Sequence, residues 1–163
     1  MKIERITEKL APIASYIYAS SWKSAYRGLV PLDFLDELSD EHWIPRFRRL
    51  GFQGFILSDD GKPVAVSTIS PARDEVMIGW AEINSIYVLP ELFQKGYGTV
   101  LFKYVLEQLL EQGFQKVYLW VFEENIRVQR FYEKMGFRSN GDKKILTIAD
   151  KDLVELRYVY ERK

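Results

Sequence analysis

The stretch from Asn84 to Leu101, N-S-I-Y-V-L-P-E-L-F-Q-K-G-Y-G-T-V-L, constrains the fold more than any other part of the chain. An apolar strand runs into a proline turn, then a short loop carrying Gly96 and Gly98, then a helix. Glycines at such a turn let the backbone bend tightly and come close to another group, because no Cβ stands in the way. The first N–H groups of the helix have no intrahelical partner, so the loop is a ready site for phosphate. Two glycines alone read equally well as a plain strand-to-helix turn.

Two familiar phosphate loops are excluded. A Walker loop enters its helix with Gly-Lys-Ser/Thr, whereas Gly98 is followed by Thr99 and Val100. A dinucleotide fingerprint needs a third glycine, here Leu101, and an acidic residue closing the next strand. That strand, Val117 to Phe122, arrives only after a long helix. The loop is of another kind.

At 163 residues, 47% of them hydrophobic, the chain suits one domain over residues 1–163 with a real core. Lys+Arg and Asp+Glu are both 23, a balance that leaves no nucleic-acid footprint. The basic run Arg46-Phe47-Arg48-Arg49 reads as a solvated helix face. With no cysteine there is no disulfide, thiol nucleophile or cysteine metal site. His42 is the one histidine, and no nucleophile elbow accompanies it, so neither a metal site nor a Ser-His-Asp hydrolase is expected. No secretory signal and no apolar run of membrane-spanning length is present, which makes a cytoplasmic protein without a membrane partner the expectation.

Periodicity then orders the elements. Lys2 to Ile6 is a short strand, and Glu8 to Tyr26 a helix with Pro12 in its first turn. Short helices follow over Leu32 to Leu38 and Glu41 to about Leu50, the second capped by Ser39. Phe52 to Ser58 and Lys62 to Ser70 are strands joined by the hairpin signal Asp60-Gly61. Met77 to Val88 is the next strand. A helix with Leu101, Phe102, Val105, Leu106, Leu109 and Leu110 on its apolar face closes at Gly113. Val117 to Phe122 is a strand covered on both faces, and Asn125 caps a short helix ending at Gly136. Lys144 to Ile148 and Leu153 to Tyr160 form a final pair. The fold class is α/β (α+β): a mixed, mostly antiparallel sheet flanked by helices.

Three residues invite chemistry. Period-two alternation sets Glu82 on one side with Asn84, Ile86 and Val88. There it is an edge-exposed charge or a base whose pKa burial raises from roughly 4.3 toward neutrality. Tyr132 is a core aromatic with its hydroxyl at the rim, or a proton donor at a cleft. Asn125 reads as an ordinary N-cap.

The ordered set Glu-x-x-x-Ile-Tyr-Val-x-Pro, Gly-x-Gly and helix, Leu-Trp-Val, Asn, and Phe-Tyr-Glu-Lys-x-Gly-Phe resembles the GNAT family of N-acetyltransferases. The segment Ser21 to Pro31, with Trp22, Tyr26, Arg27, Gly28, Leu29 and Pro31, and the closing Glu155-Leu156-Arg157-Tyr158 are similar to one bacterial branch of it. The resemblance implies acetyl-coenzyme A as donor and direct transfer to a primary amine of a small molecule, peptide or protein. It implies that the strand ending at Val88 splays from Val117 to Phe122, that pantetheine pairs with the backbone of Ile86, Tyr87 and Val88, and that the pyrophosphate meets the loop. That loop is Gln94, Lys95 and Gly96, continuing through Tyr97, Gly98 and Thr99. Glu82 then matches the acidic residue that takes the amine proton, Tyr132 the tyrosine that protonates the departing thiolate, and Asn125 the asparagine near the cofactor arm. Trp22, Tyr26 and Arg27 are the expected acceptor contacts, and the final strand pair suits a monomer or a homodimer. A catalytically silent acyl-coenzyme A sensor or scaffold module is the competing expectation. Three positions depart from the family pattern: Phe93 stands where Arg or Gln is usual, Gln94 where glycine is frequent, and Val128 where alanine is usual.

Overall fold

The computed structural model describes residues 1–49 and 51–163. Seven strands form one sheet in the order β1-β2-β3-β4-β5-β7-β6. They are β1 (Lys2–Arg5), β2 (Gln53–Asp59), β3 (Lys62–Pro71), β4 (Ala81–Val88), β5 (Lys116–Phe122), β6 (Arg138–Ile148) and β7 (Lys151–Glu161). The helices are α1 (Ala11–Ala25), α2 (Leu32–Asp36), α3 (Tyr97–Glu111) and α4 (Ile126–Lys134). Every neighbouring pair is antiparallel except β4 and β5, which run parallel across the α3 crossover. The expected mixed, mostly antiparallel sheet with flanking helices is what forms.

Turn chemistry sets the hairpins. Asp60 and Gly61 both take positive φ, 48° and 74°, between β2 and β3, as a two-residue hairpin turn demands. Ala149 and Asp150 do the same between β6 and β7, at 46° and 68°. Helix α3 buries Leu101, Phe102, Val105 and Leu109 against Ala65, Ile83, Val117 and Leu119 on one face of the sheet. On the other face, Ile17 and Tyr18 of α1 pack with Ile56 and Val66.

Several boundaries differ from the sequence reading. The helix expected from Glu41 is a 3-10 turn over Ile44–Arg48, because Pro45 lacks the N–H that an α-helix would use; its expected end at Leu50 lies outside the described residues. Ser39 Oγ accepts from Glu41 N at 3.1 Å, closing a local turn rather than capping a helix. The strand expected from Met77 begins only at Ala81, since Glu75–Met77 forms a 3-10 turn capped by Asp74 and Gly79 turns at φ +89°. Asn125 occupies the N-cap position of α4 without a side-chain capping bond; Gln129 instead donates to the carbonyls of Phe122 and Glu123.

Candidate active site

A single extra residue in β4 creates the site. Thr68 pairs with Ser85 and Ile69 with Ile83, so Asn84 has no partner on β3. Such a bulge reverses the alternation beyond it. Ile86 and Val88 therefore pack toward α3 with Ala81 and Ile83. Ser85 and Tyr87 look to the α1 face, where Tyr18 hydrogen-bonds Ser85 and stacks edge-on against Tyr87. The expectation that Glu82 shares a side with Ile86 and Val88 is corrected: Glu82 lies opposite Ser70 and belongs to the face of Ser85 and Tyr87.

The bulge also parts β4 from β5. They pair only at Ala81 with Val117 and Glu82 with Tyr118, so the rest of β4 has one open backbone edge. The slot between the strands is the centre of a cleft of about 1150 Å³. That exceeds the roughly 300–1,000 Å³ of a typical single-ligand pocket, leaving room for two molecules.

One end of the cleft is the start of α3. Gly96 caps the helix at φ +86°, a conformation that L side chains rarely adopt. Gly98 is helical, and a Cβ there would lie 3.6 Å from Val88 Cγ2 and 3.9 Å from Phe131 Cζ, ordinary contact distances. Of the two glycines, Gly96 takes the left-handed turn, and Gly98 is a helical position that lines the cleft. Gln94, Gly96, Tyr97, Gly98 and Thr99 line this end, whereas Lys95 is exposed outside it. Phe93, the departure from the family pattern, carries the Arg127 guanidinium over its ring at 4.8 Å, so a cation returns to the loop by another route. Asn125 and Tyr132 line the middle. Tyr132 is buried against Phe102 and Phe131, and burial pushes its hydroxyl pKa well up, which keeps it protonated.

The other end is aromatic and charged. Trp22 Nε1 donates to the Tyr87 hydroxyl at 3.0 Å, and Tyr26 Oη lies 3.3 Å from the same oxygen. Burial pushes Tyr87 up to about 12 and Tyr26 well above its ordinary value. Of the three expected acceptor contacts, Trp22 and Tyr26 line this end, whereas Arg27 is exposed and bridged to Val30 outside the cleft lining, because the chain turns away after α1. His42 stands edge-on to Trp43 at the rim, and among the described residues no cluster of metal-ligating side chains forms.

Glu82 is buried here, but the expected upward shift is not found. Burial alone would raise its pKa; hydrogen bonds and charge from Arg73, with a bond from Tyr118, outweigh it and hold the carboxyl below its ordinary value. A second carboxylate, missed in the sequence, lines the same end. Glu155 on β7 has a side chain only 13% exposed and a single ion pair, to Lys144 at 3.5 Å. Burial pushes its pKa up more than Lys144 lowers it. Its only sequence signal is membership of Glu155-Leu156-Arg157-Tyr158, which pointed to a branch rather than to a cleft.

Residues 16–137 match the model of the acetyltransferase (GNAT) family. The chain belongs to that family. It is 27% identical over 111 residues to the uncharacterized N-acetyltransferase YuaI of Bacillus subtilis, an alignment covering 67% of this chain and 64% of that one. An uncharacterized N-acetyltransferase of Mycobacterium bovis is 38% identical over 60 residues, 37% of this chain and 38% of that relative. The matched stretch thus spans less than two thirds of these relatives. Among solved structures, the fold is similar to PaiA N-acetyltransferase of Thermoplasma acidophilum in complex with coenzyme A, with TM-score 0.75, 19% identity and 99% of each chain covered. It is also similar to ribosomal-protein-alanine N-acetyltransferase of Brucella melitensis, with TM-score 0.75, 20% identity and 99% of each chain covered. Among the described residues no helix is long and apolar enough to cross a membrane.

Proposed function

We propose that residues 1–163 act as one N-acetyltransferase domain, of the branch marked by the Trp22 to Pro31 motif, moving an acetyl group from acetyl-coenzyme A directly to a primary amine. The observation that carries this reading is the splay of β4 from β5 beside the Gly96-capped start of α3, with Tyr132 between them. The open edge of β4 at Ile86, Tyr87 and Val88 suits an extended amide-bearing arm, which would complete a strand pair there. The first N–H groups of α3 suit a pyrophosphate, and Gly98 leaves room for it.

Acetyl-coenzyme A supplies an activated thioester. An acceptor held as its ammonium first gives up one proton; the neutral nitrogen then forms the new bond to the acetyl carbon as the carbon–sulfur bond breaks, losing a second proton to water as the thiolate gains one. Tyr132, kept protonated by burial, would give the proton that the thiolate gains. Glu82, kept ionised by Arg73, adds fixed negative charge near the incoming ammonium without binding it directly. Its oxygens are already occupied, so Glu155, with one long ion pair and a raised pKa, is the better proton acceptor. Both substrates held at once need no covalent enzyme intermediate, and most of the gain comes from orientation.

A thiol-detecting assay with acetyl-coenzyme A and a panel of primary amines tests this. Thiol release dependent on an amine supports transfer. Tight coenzyme A binding with no release across the panel points to the silent sensor or scaffold module instead.

A further inference from the structure

Among the described residues, Arg46 is the cation at the acceptor end of the cleft with no counter-charge. The other basic groups there are matched: Arg73 to Glu82 at 2.6 Å, and Lys144 to Glu155 at 3.5 Å. Among the described residues no carboxylate lies within ion-pair distance of Arg46, and its Nε is buried without a hydrogen-bond partner. Its guanidinium sits 5.9 Å from the centre of the Tyr18 ring and 5.4 Å from that of Phe52, and its field reaches the Tyr87 hydroxyl. Arg46 is partly exposed, but its buried Nε is an unpaired donor on a cation, and an anionic group entering the cleft could take it.

A second orphan faces the same cleft from the bulge. The Ser70 hydroxyl spends its proton on the Pro71 carbonyl at 2.8 Å, so the Asn84 amide must donate to Ser70 Oγ, at 3.0 Å. Among the described residues, Asn84 Oδ1 is then left buried with no donor. One cleft thus presents a cation lacking an anion and an acceptor lacking an N–H.

We infer that the acceptor is a small primary amine that also carries an oxyanion, a carboxylate or a phosphoryl group, with Arg46 taking the oxyanion and Asn84 Oδ1 an N–H of the amine. The inference rests on the proposed reading that this end of the cleft receives the acceptor. It also corrects the reading of the run Arg46 to Arg49 as a solvated helix face at Arg46 alone, which lines the cleft from a 3-10 turn while Arg48 and Arg49 stay exposed. Charged hydrogen bonds of this kind discriminate strongly when water is excluded.

The test uses binding as well as turnover. Trp22 and Trp43 line this end, so their fluorescence reports occupancy in the coenzyme A-loaded protein. The probes are an α-amino acid, a longer ω-amino acid and an aminoalkyl phosphate, the two acids each matched with their neutral carboxamide and the phosphate with its parent amino alcohol. The expected result is at least about tenfold tighter binding of the charged member of a matched pair, the size of one charge-assisted hydrogen bond. Comparison of carboxylate with phosphate shows which oxyanion is preferred. Arg46→Gln should collapse the ratio toward one, and Arg46→Lys should restore part of it, with coenzyme A affinity confirming that each variant is folded. Equal binding of acids and amides by the wild type, or an undiminished ratio in Arg46→Gln, overturns the inference. Acid-selective binding without any thiol release would sink the transferase reading yet sustain this one; acetylation of amines with no charge selectivity would do the reverse.

Discussion

Arg73 grips Glu82 with two nitrogens, Nη2 to Oε1 at 2.6 Å and Nε to Oε2 at 3.1 Å, while the Tyr118 hydroxyl donates to Oε2 at 2.8 Å. A carboxylate filled in this way is a fixed charge, and removal of its partner should be felt in stability first. Glu82 is 3% exposed but Arg73 is 45% exposed, so water already screens one member of the pair. Arg73→Gln should therefore cost about 2 kcal/mol, less than for a fully buried pair. Because the folded pKa of Glu82 is depressed, its contribution is present above the unfolded value of roughly 4.3 and lost as pH falls through the folded one. Denaturant melts from neutral pH downward should show a smaller acid-dependent loss in the variant than in the wild type. Parallel pH profiles would mean that the pair contributes nothing.

The two carboxylates separate in pH–rate profiles. Glu155 is faced by Lys144 of β6, Arg73, Glu82 of β4 and Tyr26 just after α1, and its net shift is upward. The wild-type kcat/KM should rise with pH through an ionisation above the ordinary glutamate range, followed by a second limb from the amine itself. Glu155→Gln should remove the first limb and lower the rate about a hundredfold. Glu82→Gln should weaken acceptor binding and leave that limb in place, because Glu82 ionises below its ordinary value. Loss of the limb in Glu82→Gln alone would return the proton to Glu82.

Tyr132→Phe keeps the ring that packs on Phe102 and Phe131 and removes only the hydroxyl. Coenzyme A affinity should stay within about twofold, while kcat falls about tenfold or more once thiolate departure limits the rate. Single-turnover measurements separate chemistry from product release. An unchanged chemical step would remove Tyr132 from the mechanism.

Much of this was legible in the sequence because it was local. The Asp60-Gly61 turn, the α3 stripe and the glycine-led helix start each follow from neighbouring residues. The bulge at Asn84 was not legible, since it depends on which residue of β3 meets which residue of β4. That one slip moved Glu82 to the opposite face from the one read by alternation. Arg73 lies nine residues before Glu82 and reaches it only because the intervening turn folds back, so its effect on the carboxylate pKa was hidden. Glu155 and Lys144 enter the cleft from the far strands, and Arg46 enters because Pro45 shortens a helix that the pattern alone would extend. Long-range pairing, rather than residue type, decided the charge balance of the site.

The two loop glycines make different demands, and alanine at each should show it. Gly96 needs φ +86°, so Gly96→Ala should cost about 1–2 kcal/mol of stability and shift the loop whatever is bound. Gly98 has a helical backbone and a nearest neighbour at 3.6 Å, so alanine there fits the protein and should leave stability unchanged or raise it by up to about 1 kcal/mol. Its methyl would nonetheless stand where the ligand backbone approaches the helix start. Gly98→Ala should therefore weaken coenzyme A binding about tenfold or more without loss of stability, and Gly98→Val more severely, because its branched side chain fills the approach. Thermal melts together with isothermal titration of coenzyme A measure both quantities on the same samples. Wild-type affinity in both Gly98 variants would remove the start of α3 from the cofactor site, since no backbone strain exists at that position to explain a loss by any other route.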